Sequence, residues 1–196
     1  GKTSTAEFGI HHPPQTKNPI DSSRICGTSS TGSAVAVASY MVPVAIGSQT
    51  AGSTSRPSSY LGIYGFKPSF GILPRTAMLK TTDTLDTVTM LSRSIDDLVL
   101  MFNSMRVYGR NYPIINDELK KKSRQDKSKS YWNVGILSGP KSNLESKAVK
   151  TSFLKIIEKI QKNNCKVSEY KLPEIFSEAH HYHQIIYCKC VAYYFK

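Results

Sequence analysis

The chain of 196 residues carries 26 Lys and Arg against 14 Asp and Glu, a formal charge of +12, and 39% of its residues are hydrophobic. That is enough apolar side chain to bury a core, so disorder throughout is excluded and one domain is the default. No apolar run reaches the roughly 18 residues of a membrane helix, and no charged-then-apolar leader opens the chain.

In chain order, "GKTSTAEFGI" (1–10) reads as the exit of a strand already under way, with His11-His12 loop-like after it. "GSAVAVASYM" (32–41) reads as a buried helix opening behind Ser/Thr caps. "VPVAIGS" (42–48) is a short buried strand with Pro43 near its start, where proline is tolerated. "RPSSYLGIYGFKPS" (56–69) predicts a short helix and then a strand. "SIDDLVLMFNSM" (94–105) is a helix with a capping box of Ser94 and Asp97. A basic linker over about 117–131 follows, then "WNVGILS" as a buried strand. The next segment, 143–164, is an amphipathic helix with Val149, Phe153, Ile156, Ile157 and Ile160 on one stripe. "CKVSEYKLP" alternates like a strand, and the chain turns helical again from Glu174. Strands alternating with helices place the chain in the α/β class. The closing "CVAYYFK" is apolar and aromatic, so both ends read as cuts in a longer protein.

The charge is uneven. Residues 1–100 carry eight Lys/Arg and six Asp/Glu, whereas the remainder carry eighteen and eight. Much of the excess lies in "LKKKSRQDKSKS", which has no interleaved aromatic residues and reads as a solvated linker rather than a nucleic-acid surface. Cys26, Cys165, Cys188 and Cys190 form no CxxC and no disulfide framework, which favours a reducing, cytoplasmic compartment.

Several motifs point nowhere. "GKTST" mimics the tail of a phosphate-binding loop, but Pro13-Pro14 would cut the helix that must follow. His180, His181 and His183 with Cys188 and Cys190 lack the spacing of a CxxC or HExxH site and read as a helix surface, so no metal and no cofactor is expected. No GxSxG elbow surrounds Ser53.

Two knots of small hydroxyl residues remain, "CGTSSTGSAVAVA" (26–38) and "GSQTAGSTSRP" (47–57). Either alone reads as turns and caps. Together, the order loop, helix, strand, loop returns the chain across the core, so both knots can share one end of the sheet. Strand-end crevices are where α/β proteins place chemistry. Successive N–H groups of Thr50, Ala51, Gly52 and Ser53 can then form a nest for an oxyanion.

The stretch from Gly27 to Gly71, "GTSSTGSAVAVASYMVPVAIGSQTAGSTSRPSSYLGIYGFKPSFG", resembles the amidase signature family of amide hydrolases. "GKTSTAEF" is similar to that family's GKT-x-x-x-EF segment, and "TDTLDTVTMLSRSIDDLVLMF" to its S-x-D-x-x-G-P-x-x-R-x-x-x-D block. The resemblance implies that 1–196 are part of a single amidase signature domain, with a mixed central sheet between helices and a core of about 24–105. It implies Ser53 as nucleophile and Ser29 as the bridging serine, held by a cis peptide. The amides of Thr50, Ala51 and Gly52 become the oxyanion hole, with that of Ser53.

Some positions depart from the family. Thr28 and Ala51 stand where it has glycine. Its catalytic lysine lies upstream of the GKT segment, where this chain begins; Lys67 matches a structural position and Lys2 belongs to the GKT turn. The expectation is therefore an amidase-like hydrolase with impaired turnover. Arg56 is a candidate clamp for a substrate carboxylate, with a structural partner the favoured alternative. The alternatives are a non-catalytic homologue or partner subunit, or the A-type subunit of an aminoacyl-tRNA amidotransferase, which would give the basic half a purpose. Expected partners are a small-molecule amide, and a second copy or missing chain segments. No membrane is expected, and no nucleic acid outside the amidotransferase role.

Overall fold

The computed structural model describes residues 16–108 and 132–196. The GKT segment, the phosphate-loop mimic, His11-His12 and the basic linker lie outside the described residues. Of those described, 16–108 with 186–196 form one compact unit and 132–185 a second.

The first unit is built on a three-stranded antiparallel sheet in the order β1 (Val44–Gln49), β3 (Thr87–Ser92), β2 (Tyr64–Phe66). Val44 pairs with Ser92 and Gln49 with Thr87, while Tyr64 also faces Ser92 from the other side. Every residue of β3 is buried. Its side chains alternate between two cores, as a strand's must. Leu91 packs with Cys26, Ala34, Val37 and Leu61, beneath α1 (Thr31–Ala38) and α2 (Ser55–Leu61). Val88 and Met90 pack with Leu73 and Leu98, beneath α3 (Ile95–Met105). The segment of β3 was not among the expected strands. A strand covered on both faces shows no apolar/polar alternation to read.

Two helix ends differ from expectation for local reasons. α1 stops at Ala38 rather than running to Met41. Tyr40 takes a left-handed φ of 60°, its N–H bonds to the Val37 carbonyl, and the N–H of Met41 reaches back to Ala36. That is a Schellman cap with tyrosine in the usual glycine position. Arg93 lies over the Tyr40 ring and donates to the carbonyls of Val37 and Val42, closing the helix end. The capping box of α3 is half formed. Ser94 Oγ accepts from the Asp97 N–H at 3.4 Å, but the Ser94 N–H is taken by Ser92 Oγ.

The second unit holds a parallel pair, β4 (Asn133–Leu137) and β5 (Lys166–Tyr170), joined through α4 (Lys147–Gln161). Ser146 caps α4 by accepting from the Val149 N–H. Within the expected stripe, Ile157 and Ile160 are half-buried while Val149, Phe153 and Ile156 stay exposed. A short 3₁₀ turn, Glu174–Glu178, leads into α5 (Ala179–Tyr194), whose last residues count with the first unit. No helix among the described residues is long and apolar enough to cross a membrane.

Candidate functional site

Ser29 and Ser30 immediately precede α1, and Thr50 to Ser53 follow β1, so the two knots meet at one end of the sheet. The N–H of Ser30 donates to the Ser53 carbonyl at 3.3 Å, joining the loops directly. Ser30 is fully buried. Its hydroxyl does not cap α1; it donates to the Ser48 carbonyl at 3.0 Å and accepts from the Ser48 N–H at 3.1 Å. This replaces the expected Ser/Thr cap with a stitch between helix start and strand end. The approach is so close that a Cβ on Gly47 would lie 2.9 Å from both Ser30 Oγ and Thr89 Oγ1.

The upstream loop also needs unusual backbone. Gly27 has φ +97°, and a Cβ there would stand 2.7 Å from the Pro57 Cα. Ser29 adopts the left-handed φ of 68°, a region non-glycine residues seldom occupy. Thr28 is buried, whereas Ser29 and Ser53 are half-buried and so reachable from solvent.

The downstream loop is pinned at both ends. On one side, Gln49 Oε1 accepts from the N–H groups of Thr54 and Ser55, each at 2.9 Å, doing for α2 what an N-cap side chain would. On the other, Thr50 Oγ1 donates to Asp86 Oδ1 at 2.6 Å. Between them none of the described hydrogen bonds uses the N–H groups of Ala51, Gly52 or Ser53. Arg56 lies back over the loop, its Nε donating to the Gly52 carbonyl at 3.4 Å. That contact is to main chain.

Asp86 is the residue that sequence reasoning missed. It is 2% exposed, yet its carboxylate accepts from five donors. They are the Thr50 hydroxyl, the Thr81 N–H and hydroxyl at 2.6 and 2.8 Å, and the Thr82 N–H and hydroxyl at 3.0 and 2.9 Å. Burial pushes this carboxyl up, but the hydrogen bonds, led by that of Thr50, outweigh it and hold it below the usual aspartate value. The run of threonines around it was the available signal, since hydroxyl-rich turns solvate carboxylates. Lys67 Nζ bonds the Pro68 carbonyl. No three of the described His, Cys, Asp and Glu residues gather as a metal site.

A family model described as Amidase matches residues 1–196. The A-type subunit of glutamyl-tRNA(Gln) amidotransferase from Gloeothece citriformis is 31% identical over 181 residues, covering 88% of this chain and 38% of that protein. Its counterpart from Thermus thermophilus is 38% identical over 111 residues, 54% of this chain and 24% of the relative. This chain therefore spans well under half the length of these relatives. Among solved structures, the A-type subunit of glutamyl-tRNA(Gln) amidotransferase from Thermotoga maritima superposes with a TM-score of 0.72 at 23% identity, covering 90% of this chain and 39% of that one. Native peptide amidase from Stenotrophomonas maltophilia gives 0.69 at 22% identity, over 92% and 39%. At these identities the structures show a shared α/β fold.

Proposed function

The chain belongs to the amidase family, and from that premise we propose that it carries the serine half of a site that cleaves a carbon–nitrogen bond. Ser53 Oγ attacks the amide carbonyl while its proton passes to Ser29, and Ser29 passes its own proton to a base, a lysine in this family. A serine hydroxyl is a weak nucleophile until such a relay is in reach. The N–H groups of Thr50, Ala51, Gly52 and Ser53 hold the oxyanion. As the C–N bond breaks, Ser29 returns a proton to the leaving amine, and water then hydrolyses the acyl-Ser53 ester. Residues 1–196 act as part of a single amidase domain, with its core at about 24–105, in the cytoplasm and on a small-molecule amide. Arg56, three residues beyond Ser53 and donating to the Gly52 carbonyl, is the candidate clamp for a substrate carboxylate, with a structural partner the favoured alternative.

The observation that carries this reading is the hydrogen bond from Ser30 to Ser53, which brings the two serine loops onto one strand end. Amide hydrolysis by the protein, compared with Ser53→Ala and Ser29→Ala, tests it. Loss of an acting triad member costs about 10⁴-fold or more in serine hydrolases. Turnover retained in Ser53→Ala overturns the proposal.

The names of the relatives favour a second reading, an A-type subunit that works within an amidotransferase on aminoacyl-tRNA. Copurification with partner subunits, and amide cleavage only in their presence, would select it. Full activity without partners would count against it.

A further inference from the structure

We infer that Asp86 is a positioning residue for the loop after β1, acting through Thr50 to set where the N–H groups of Ala51, Gly52 and Ser53 point. This rests on the reading of those amides as an oxyanion cradle. Thr50 is the first residue beyond β1, and its hydroxyl reaches a carboxylate 36 positions downstream. The carboxylate is itself immobile: the Thr81 and Thr82 donors hold it, and Thr82 Oγ1 also accepts from the N–H groups of Leu85 and Asp86. Asp86 directly precedes β3, whose first residue Thr87 is the register partner of Gln49. Thr50 is therefore tied to the central strand, while Gln49 ties the far end of the same loop at Thr54 and Ser55. Between these two anchors lie the three small residues whose amides the cradle needs.

The same geometry says what Asp86 does not do. Its oxygens are filled by five donors, so it has no room to take a proton from substrate or serine. Asparagine would keep its oxygen on the Thr81 and Thr82 N–H groups and turn its NH₂ toward the three hydroxyls, so Thr50 would have to accept where it now donates to a charge.

The test pairs two readouts on Thr50→Val, Thr50→Ser and Asp86→Asn. Met101→Ala, at a half-buried residue of α3 packed against the core of Leu73, Val88, Met90 and Leu98, serves as a control for simple loss of stability. NMR-resolved amide exchange is read at Ser30, Thr54 and Ser55, whose N–H groups bond across the loop, and at β3. The rate at which Ser53 displaces fluoride from a fluorophosphonate is read below each variant's melting temperature. Thr50→Val should raise exchange at the three loop-bonded amides by about tenfold or more, the scale of one hydrogen bond to a charged group, and slow phosphonylation. It should leave β3 protected, Thr50→Ser should keep the loop protection, and Met101→Ala should leave the phosphonylation rate alone. Unchanged loop exchange in Thr50→Val, or equal loosening of β3, would overturn the role of Asp86. If the unmodified protein is not phosphonylated at Ser53, the amide-cleaving reading fails, and the exchange comparison still decides whether Asp86 holds the loop. Thr50→Val decides the matter even if Asp86→Asn does not fold.

Discussion

Replacing Gly27 by alanine tests a close approach between the two serine loops. At φ +97° an L-residue is strained by about 1–2 kcal/mol. The new methyl would also meet Pro57 at 2.7 Å from Cα, 2.8 Å from N and 2.9 Å from Cβ. Main chain and a proline ring at the start of α2 cannot swing aside as a flexible side chain would. Overpacking of this kind costs about 1–3 kcal/mol. Against it stands about 0.4–1 kcal/mol gained by stiffening the unfolded chain. The net expectation is a loss of about 1–5 kcal/mol, which for a chain of this size lowers Tm by roughly 2–20 °C. Urea melts and thermal melts of the two proteins measure it. The loops should also separate, so protection of the Ser30 amide should fall further than that of β3. A variant within about 0.5 kcal/mol of the parent, the ordinary range for a surface change, would mean that the Gly27–Pro57 contact does not hold the loops together.

Two further outcomes follow from the same region. Ser30→Ala removes the hydroxyl that both donates to and accepts from Ser48, and should destabilise by about 1–3 kcal/mol in urea melts. A neutral result would show that the stitch between α1 and β1 is dispensable. Asp86 gives a pH signature. Its folded-state carboxyl lies below the usual value, so its contribution is present above about pH 4 and is lost as pH falls through the lower folded value. Urea melts across that acid range should show stability falling more steeply for the parent than for Asp86→Asn. Parallel curves would contradict the direction of the shift.

What was legible in the sequence was local. Ser29 and Ser53 stand in knots whose density of small hydroxyl residues exceeds what a turn requires, and the element order already brought those knots to one end of a sheet. The helix at Ile95–Met105 was legible because Ser94 caps it in place. What escaped was set by contacts between distant segments. Asp86 looks like one acidic residue among threonines until Thr50 arrives from 36 positions away. Ser30 looks like an N-cap until Ser48 claims both sides of its hydroxyl. β3 hid because burial on both faces erases the period on which strand reading depends. The cap that ends α1 at Ala38 is local, with Tyr40 left-handed, but Arg93, which covers it, comes from more than fifty positions away.

The most direct measurement is the location of an acyl group. The protein is mixed with an activated ester, quenched in acid and digested, and the acylated residue is identified by fragmentation mass spectrometry. The acyl group should sit on Ser53, be absent in Ser53→Ala and be much reduced in Ser29→Ala. An acyl group on Ser29 or elsewhere, or one that persists in Ser53→Ala, would contradict Ser53 as the nucleophile.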